Sequence, residues 1–386
     1  MLREEHLFFS ALNSMGVMLK CSLIQEIHSM KVMIAAGGTG GHIYPALALA
    51  DRMKEKLPDC EISFFGSLDR MESDLIPSSG YTFFGYDVAT TQGGILQKVK
   101  SLLSMIRAQG YCKKLLKQEK IDICIGFGNY ISIPLINAAH SLRIPTLLHE
   151  QNSTAGKANV YLGKKADAVA ISYESSRSQF PDKVTRLTGN PEASLAADTV
   201  YDPDEIRTLG LNPDIPFILF MMGSLGSSTV SSVIDAALPL LDNEYQVVVA
   251  AGKQNSHTFT TKSDDRMKIV PYVNGKNLLK GCALAITRAG ATTMAELSAV
   301  GCASVLIPSP YVPNNHQVYN AMDLVKENAA VMIEEKDLDA KVLADTINTL
   351  MKDPEKLAEM KKNAKAAGHV EAADSMIEWC LELIKK

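Results

Sequence analysis

The sequence predicts an α/β protein with two doubly wound domains. Short apolar strands alternate with amphipathic helices from Lys31 onwards, and each half of the chain opens with a strand, a glycine-rich turn and a helix. The turn Gly189-Asn190-Pro191 separates the two halves. Such alternation is typical of parallel sheets that carry helices on both faces. We therefore expect two Rossmann-like domains of similar size that face a cleft.

Length and composition are those of an ordinary globular protein. The 386 residues carry a formal net charge of -4, which argues against a general nucleic-acid binder. The cysteines are scattered without any C-x-x-C spacing, a pattern typical of reduced, buried thiols in a cytosolic protein. No apolar run reaches the length that spans a bilayer.

Residues 1–30 precede the first strand and contain no turn or strand pattern that leads into it. Glu4 and Glu5 are unlike the basic start of a signal peptide, and Gly16 interrupts the apolar stretch. We interpret residues 1–30 as an N-terminal extension that is disordered or results from the choice of start codon. Met30 is the alternative start.

Both domains are predicted to contain parallel strands in regular succession. In the first domain, residues 31–190, the strands are 32–36, 61–65, 82–86, 121–126, 146–149 and 168–172. In the second domain, residues 191–368, they are 217–222, 246–250, 268–270, 284–287, 304–307 and 330–333. Residues 369–386 are predicted to form a last helix that packs back on the first domain.

The loop Gly37-Gly38-Thr39-Gly40-Gly41-His42 follows the first strand. Its glycines let the backbone turn sharply and approach a bound molecule, because any Cβ would stand in the way. We expect Pro45 to open the helix that follows. The loop would then lie at a helix N-terminus, where free N–H groups favour an anion or a polar ligand. His42 adds a side chain that can exchange a proton near neutral pH.

A dinucleotide site is the competing interpretation of this loop. Gly38-Thr39-Gly40 begins a G-x-G-x-x-G string, but Ile43 stands in place of its third glycine. The second strand ends in Phe64-Phe65-Gly66, which offers no acidic partner for a ribose. A nicotinamide or flavin enzyme is therefore disfavoured.

Residues 95–120 form a basic and apolar segment. It contains apolar residues such as Leu102 and Ile106 and cations such as Lys100, and no acidic residue precedes Glu119. A helix of this kind suits an anionic membrane surface, to which each nearby cation contributes roughly 1 kcal/mol. An ordinary amphipathic helix with a solvated basic face has the same pattern, so both interpretations stay open.

The strongest signal in the second domain is the run from Arg288 to Glu296. Small residues after a strand place bare N–H groups and the hydroxyls of Thr292 and Thr293 at a helix N-terminus, which suits a diphosphate. Glu296 lies one turn beyond Thr292, so its carboxylate can reach the hydroxyls of a neighbouring ribose. The same position also suits an acid that only complements the helix dipole, worth roughly 0.3 to 1 kcal/mol.

Several segments together resemble the MurG family of glycosyltransferases. They are the loop 37–42, His149-Glu150-Gln151-Asn152, Gly189-Asn190-Pro191, Arg288 to Glu296, and Asn314-Asn315-His316-Gln317-Val318-Tyr319-Asn320-Ala321. These segments follow the family's order from about Lys31 to the C-terminal helix. The resemblance implies a GT-B fold and the inverting, metal-independent transfer of N-acetylglucosamine from UDP-N-acetylglucosamine to lipid I. The C4 hydroxyl of the acceptor's N-acetylmuramic acid would be the nucleophile, and the product would be lipid II for peptidoglycan synthesis.

The same resemblance implies partners and a location. No cofactor is expected, and the substrates would be UDP-N-acetylglucosamine and lipid I. The protein would be peripheral on the cytoplasmic face of the cell membrane, attached to the anionic surface through residues 95–120. Other wall-synthesis and division proteins would be further partners.

Roles for individual residues follow from the resemblance, position by position. The implied donor-binding residues are Thr39, Gly40, Gly41, Asn152, Ser224, Val273, Ala291, Thr292, Thr293, Glu296, His316 and Gln317. The implied acceptor-binding residues are Gly38, Thr39, His42, Tyr130 and Asn152. The backbone of Val273 would meet the uracil, and Gln317 would bind hydroxyls of the transferred sugar.

His42 is the predicted general base. Inversion in one displacement requires a base that takes the proton of the attacking hydroxyl on the face opposite UDP. A hydrogen bond to the acceptor diphosphate is the alternative role for His42. A helix N-terminus would stabilise the charge that grows on UDP. The strings Asp202-Pro203-Asp204 and Asp337-Leu338-Asp339 lie in polar connections, and we interpret neither as a metal site.

Three positions depart from the family's pattern. Ala193 stands where the family usually has an arginine that contacts the donor, with Arg177 or Arg186 as candidate substitutes. Leu225 replaces a glutamine and Asn129 replaces a glycine.

Two other functions stay open. One is a glycosyltransferase acting on diacylglycerol, which should lack the segments His149 to Asn152 and Asn314 to Gln317. The other is a non-catalytic UDP-sugar-binding protein of wall assembly. The joint presence of His42, Asn152, Glu296 and Gln317 argues against this second possibility.

Overall fold

A computed structural model describes residues 30–87, 95–223, 227–252 and 255–385, with the backbone alone for residues 95–99. Its first domain contains a seven-stranded parallel sheet in the order β3-β2-β1-β4-β5-β6-β7. The strands are β1 (Lys31–Ala35), β2 (Glu61–Ser67), β3 (Thr82–Tyr86), β4 (Ile123–Gly126), β5 (Thr146–Glu150), β6 (Ala168–Ile171) and β7 (Thr185–Leu187). The strand order reverses between β1 and β4, the place where open parallel sheets bind ligands.

The second domain contains a six-stranded parallel sheet in the order β10-β9-β8-β11-β12-β13. Its strands are β8 (Phe217–Met221), β9 (Gln246–Ala250), β10 (Met267–Val270), β11 (Leu284–Thr287), β12 (Ser304–Leu306) and β13 (Ala330–Met332). The order reverses between β8 and β11, so each domain has its own reversal point beside the cleft.

Helices cover the faces of the two sheets. In the first half they are α1 (Gly40–Lys56), α2 (Glu72–Ser78), α3 (Ile95–Glu119), α4 (Ser132–Leu142), α5 (Lys157–Gly163), α6 (Glu192–Asp198) and α7 (Asp204–Thr208). In the second half they are α8 (Ser228–Ala237), α9 (Gly275–Gly281), α10 (Ala291–Val300), α11 (His316–Lys326), α12 (Ala340–Met351), α13 (Pro354–Ala366) and α14 (Ala372–Ile384). None of these described helices combines the length and the apolar character that a membrane crossing requires.

The C-terminal helix α14 returns to the first domain, as predicted. Met376, Trp379 and Cys380 are buried in the same cluster as residues of β1 and α1. The described cysteines are free and buried, which agrees with the prediction of reduced thiols, and Cys21 lies outside the described residues. Burial of these apolar faces joins the end of the chain to its beginning.

Three details of the predicted elements are corrected. The short strand β7 was not predicted, because its three residues, Thr185 to Leu187, give no periodic signal. Helix α1 begins at Gly40 rather than at Pro45. Pro45 lies in the second turn of this helix, where its missing N–H leaves the carbonyl of Gly41 without its usual intrahelical donor. His42 therefore lies on the first turn of the helix and not in the loop before it.

The predicted extension lies outside the described residues, apart from its last residue. Met30 is buried in the core and its carbonyl accepts a hydrogen bond from Glu61 N at 2.8 Å. The division of the chain at residues 190 and 368 stays a prediction.

Candidate active site

The glycine loop after β1 is held in place from two sides. Gly38 has φ of +86°, and its N–H donates to Oε2 of Glu72 at 2.9 Å. On the other side, Nδ2 of Asn129 donates to the carbonyl of Gly37 at 3.0 Å. A Cβ at Gly38 would lie 2.1 Å from Nδ2 of Asn129, so this position requires glycine. Asn129, which departs from the family's glycine, thus serves as an anchor of the loop, and its own φ is 63°.

Glu72 is a buried carboxylate that the sequence analysis missed. Its side chain is 1% exposed, and it accepts hydrogen bonds from the N–H groups of Ser67 at 3.1 Å and Gly38 at 2.9 Å. It therefore joins the end of β2 to the glycine loop. The available signal was an acidic residue just after β2, but its direction towards β1 depends on the packing of the two strands.

His42 lies on the first turn of α1 and is partly exposed to the cleft. Its Nδ1 is 3.0 Å from Oγ1 of Thr39. When Nδ1 carries the proton and donates to Thr39, Nε2 is the basic nitrogen. Desolvation by the surrounding protein and, to a smaller extent, the charge of His316 lower the pKa of His42 to about 4. The imidazole is therefore neutral at physiological pH and can accept a proton.

The segment from His149 to Asn152 is rigidly held. Nε2 of His149 donates to the carbonyl of Gly189 at 3.0 Å, while burial lowers the pKa of this imidazole to about 4. Glu150 is buried and accepts hydrogen bonds from Asn152 N at 3.0 Å and Asn159 Nδ2 at 2.9 Å. The segment thus connects the end of β5 to the turn between the domains.

Asn320 on α11 connects the two domains. Its Oδ1 accepts from the backbone N–H of Ser153 at 3.0 Å and from the Ser153 hydroxyl at 2.8 Å. Its Nδ2 donates to Oδ1 of Asn152 at 3.3 Å and to the carbonyl of Ala289 at 3.2 Å. We call Asn152, Ser153, Ala289 and Asn320 the interdomain clasp. Asn320 belongs to the segment from Asn314 to Ala321, but no sequence pattern there predicts this role.

The predicted diphosphate site lies at the N-terminus of α10. The hydroxyl of Thr292 is buried and has no hydrogen-bond partner among the described residues. Arg288 holds the preceding turn, because its guanidinium donates to Glu335 Oε2 at 2.8 Å and to the Ser227 hydroxyl at 2.8 Å. An orphaned donor beside free helix N–H groups fits an anionic ligand. Ser224, predicted to contact the nucleotide's phosphate, lies outside the described residues, as does Leu225.

Glu296 is a desolvated acid, unlike a surface residue that only complements a helix dipole. Burial raises its pKa to about 8, the nearby carboxylate of Glu192 adds to the increase, and Lys276 opposes it. Glu192 is itself buried and lies 2.7 Å from Nζ of Lys276. The sequence analysis did not identify Glu192 and Lys276, which the packing of α6 and α9 brings to Glu296.

The remaining predicted site residues have defined local contacts. Oε1 of Gln317 accepts from Ser309 N at 2.8 Å, which leaves its amide N–H groups as donors. Nδ1 of His316 lies 2.8 Å from the carbonyl of Pro313. Val273 is buried after β10, and Tyr130 N donates to Oδ1 of Asn129 at 2.6 Å. Their roles in binding stay predictions.

Ala193 supplies no polar group to the cleft. It is 1% exposed and packs with Ala196 and Ala299. Arg177 and Arg186 are the candidates to replace the arginine that the family has at this position. Both form other ion pairs, Arg177 with Glu174 and Arg186 with Glu382 of α14. Packing also brings Lys276 close to Glu296 on the donor side, where Arg288 is a second cation.

Comparison with protein families gives matches to both domains. Residues 32–171 match the glycosyltransferase family 28 N-terminal domain, and residues 217–376 match the glycosyltransferase family 28 C-terminal domain. The matches leave out the turn between the domains and most of the last helix, and together they cover more than half of the chain.

Individual proteins are similar over nearly their whole length. A protein of Limosilactobacillus fermentum is 38% identical over 90% of this chain and 97% of its own length. One of Latilactobacillus sakei subsp. sakei is 39% identical over 90% of this chain and 98% of its own length. Both are named UDP-N-acetylglucosamine–N-acetylmuramyl-(pentapeptide) pyrophosphoryl-undecaprenol N-acetylglucosamine transferase.

A solved structure has the same arrangement of domains. The crystal structure of Acinetobacter baumannii MurG superposes with a TM-score of 0.75 at 26% identity, covering 92% of this chain and 99% of that chain. This likeness confirms the GT-B architecture expected from the sequence.

Proposed function

Because this chain belongs to glycosyltransferase family 28, we propose that it transfers N-acetylglucosamine from UDP-N-acetylglucosamine to lipid I, forming lipid II for peptidoglycan synthesis. The chain is a glycosyltransferase of the GT-B type. The observation that carries the finer proposal is the geometry of His42, whose Nδ1 lies 3.0 Å from Oγ1 of Thr39 on the glycine loop. Burial lowers the pKa of His42, and His316 of the second domain contributes a smaller part of that decrease.

The second domain would bind the donor. Free N–H groups at the start of α10 and the unpartnered hydroxyl of Thr292 would bind the diphosphate of UDP. As the bond between the sugar and the phosphate breaks, its electron pair passes to the β-phosphate oxygen. The positive end of the helix dipole would stabilise that charge. Glu296, one turn further along the helix, would bind the ribose hydroxyls.

The first domain would bind and activate the acceptor. The loop from Gly37 to Gly41 would face its diphosphate and sugar. Nε2 of His42 would take the proton from the C4 hydroxyl of N-acetylmuramic acid as that oxygen bonds to the anomeric carbon. The Thr39 hydroxyl, 3.0 Å from Nδ1, would accept a hydrogen bond from Nδ1–H and so stabilise the imidazolium that forms. Attack on the face opposite UDP gives inversion.

Helix α3 supports attachment to the membrane. Its buried residues, such as Ala108 and Cys112, face the first domain. Leu102, Leu103 and Ile106 are nevertheless 60%, 49% and 58% exposed. An ordinary amphipathic helix would not leave three large apolar side chains on its outer face. We propose that this face and its cations bind the cytoplasmic face of the cell membrane; contacts with wall-synthesis and division proteins belong to the same proposal.

A vesicle experiment tests the role of α3. Replacing the exposed cations Lys100, Arg107 and Lys114 by glutamine should weaken binding to phosphatidylglycerol vesicles. Each of these cations should contribute roughly 1 kcal/mol to the binding free energy at low salt. A matched control replaces exposed lysines of the second domain: Lys341, Lys352 and Lys356. Equal vesicle binding by the two triple variants would contradict attachment through α3.

The reaction is tested by UDP release from UDP-N-acetylglucosamine with and without a lipid I analogue, in the presence of EDTA. Release that requires lipid I and persists in EDTA is the expected result. Release with diacylglycerol in place of lipid I would favour the other glycosyltransferase. Binding of UDP without any release would favour the non-catalytic protein.

A further inference from the structure

A cation that the proposed mechanism does not use lies between β2 and α2. Arg70 is 43% exposed in its side chain, and its ion pair with Asp69 is long, at 3.9 Å. Asp69 is in turn bound by the hydroxyl of Ser67 at 2.5 Å. The backbone of Arg70 is fixed, because its carbonyl accepts the hydroxyl of Ser73 at 2.7 Å. The guanidinium is thus placed on an ordered turn with most of its donors free for a ligand.

This turn is attached to the glycine loop. Glu72, two residues after Arg70, binds Gly38 N and Ser67 N with its two carboxylate oxygens. A Cβ at Gly37 would lie 2.3 Å from Oε1 of Glu72, so the contact is close. The turn that carries Arg70 therefore cannot move independently of the loop that would face the acceptor.

Arg70 also reaches the opposite side of that loop. Burial raises the pKa of Tyr130, and the charge of Arg70 together with a hydrogen bond to the phenol offsets part of that increase. Tyr130 follows Asn129, the second anchor of the glycine loop. Arg70 and Tyr130 consequently flank the loop at the carboxyl edge of the first sheet.

Two exposed apolar residues lie on the same turn as Arg70. Leu68 is 59% exposed and Met71 is 44% exposed. A cation between exposed apolar side chains is typical of a surface that meets lipid, where the apolar groups enter the acyl region and the cation meets phosphate.

We infer that Arg70 binds the diphosphate of the lipid-linked acceptor, while Leu68 and Met71 contact its hydrocarbon chain. This inference rests on the proposed function. An arginine suits the task because its planar guanidinium can donate two parallel hydrogen bonds to phosphate oxygens. The donor's diphosphate would lie on α10 of the other domain. Arg70 would therefore contribute to binding of the acceptor and not to binding of the nucleotide.

The test uses a short-chain, water-soluble lipid I analogue without vesicles. Arg70→Ala should raise the KM for this acceptor on the order of tenfold or more, since one charge-assisted hydrogen-bond pair is lost. The KM for UDP-N-acetylglucosamine should stay unchanged, and Arg70→Lys should be intermediate because it keeps the charge without the planar fork. Arg207→Ala is the matched control, an exposed arginine that pairs with Asp204 on α7.

The possible outcomes distinguish binding of the acceptor diphosphate from other roles of Arg70. An unchanged acceptor KM in Arg70→Ala, with the wild type active, would overturn the inference and leave the proposed function standing. An equal rise in both KM values would also overturn it, because Arg70 would then only support the fold. Loss of phosphatidylglycerol vesicle binding without a change in acceptor KM would assign Arg70 to bulk lipid headgroups instead. No lipid-dependent release by the wild type would refute the proposed function itself.

Discussion

The imidazole of His42 is neutral because the surrounding protein desolvates it. Its pKa is lowered to about 4 by burial and by His316, although the ring borders the cleft. At neutral pH the free protein therefore already holds this imidazole in the form that can accept the proton of the acceptor hydroxyl. The hydroxyl of Thr39 on Nδ1 then leaves Nε2 as the basic atom.

We predict that the acidic limb of the kcat/KM profile for the acceptor lies near pH 4. Below this pH the imidazole is charged and cannot accept a proton, so the rate falls as the pH falls. His42→Gln should lower kcat by roughly 10²- to 10⁴-fold while UDP still binds. A profile with its limb at the ordinary histidine value of about 6.5, or near-normal kcat in the variant, would contradict a base at this position.

Glu296 leads to a prediction about proton release. Its pKa of about 8 means that it is mostly protonated at neutral pH in the free protein. A ribose whose two hydroxyls donate to this group favours the carboxylate, so binding should release a proton below pH 8. Affinity for uridine should therefore rise with pH towards 8 and then level off.

Isothermal titration calorimetry of uridine in buffers of different ionisation enthalpy measures this release directly. Uridine is used because it lacks the phosphate that titrates near neutral pH. In Glu296→Gln both the proton release and the pH dependence should disappear. Wild-type binding that shows no pH dependence would argue that Glu296 does not face the ribose.

At the scale of elements, α14 is clamped to α1 by a network around Arg52. The guanidinium donates to both carboxylate oxygens of Asp374 at 2.8 and 2.9 Å, and to Asp198 at 3.1 Å. Lys56 lies 3.0 Å from the same Asp374. Asp374 is 12% exposed in its side chain, so solvent screens the pair little.

Asp374 should stabilise the first domain in a pH-dependent way. Hydrogen bonding to Arg52 and then Lys56 lowers its pKa from 3.8 to about 2. A depressed pKa gives stability that is fully present above pH 3.8 and is lost as the pH falls through 2. Asp374→Asn should lower the free energy of unfolding by about 2 kcal/mol at pH 7, and by much less at pH 2.

Urea denaturation followed by the fluorescence of Trp379 measures this effect. Trp379 is the chain's single tryptophan and lies on α14 itself. Glu359→Gln, which breaks an exposed pair with Lys356, is the control and should change stability by less than about 1 kcal/mol. A destabilisation of Asp374→Asn that persists at pH 2 would show that packing, not charge, is responsible.

At the scale of the whole molecule, the interdomain clasp sets how the two sheets face each other. Asn320 is fully buried and uses both its oxygen and its nitrogen to hold groups of two domains. No other side chain of this size can both accept and donate the same hydrogen bonds, so we expect every substitution to lose some of them. The clasp includes Asn152 of the first domain and Ala289, which precedes α10 of the second domain, so it also brings the predicted acceptor and donor sides together.

Asn320→Ala should loosen the two domains. The N–H and hydroxyl of Ser153 and the carbonyl of Ala289 would lose their partner, at a cost of about 1 to 3 kcal/mol for each group that stays buried. We expect faster hydrogen exchange in residues 152–155 and 289–292, together with a lower kcat. Asn363→Ala, at an exposed and long hydrogen bond of 3.5 Å, is the control. Unchanged exchange at both segments would show that the domains are held elsewhere.

Several features could be predicted from the sequence because they are local. Apolar runs predicted each sheet's strands to within about two residues, except β7, because burial on both faces leaves a pattern in the strand itself. The glycine loop and the run from Arg288 to Glu296 were recognised because tight turns before helices require particular residues. The family and the GT-B fold were likewise identified from motifs and are confirmed by the comparisons.

Other features depend on segments that are distant in the chain. The carboxylate of Glu72 at Gly38, the clasp of Asn320, and the pair of Glu192 with Lys276 beside Glu296 form only after strands and domains pack. The pKa values of His42 and Glu296 belong to the same class, because desolvation depends on the protein around a group and not on its neighbours in the chain. A sequence pattern records which faces are buried, but the partner of a buried polar group is set by the packed structure.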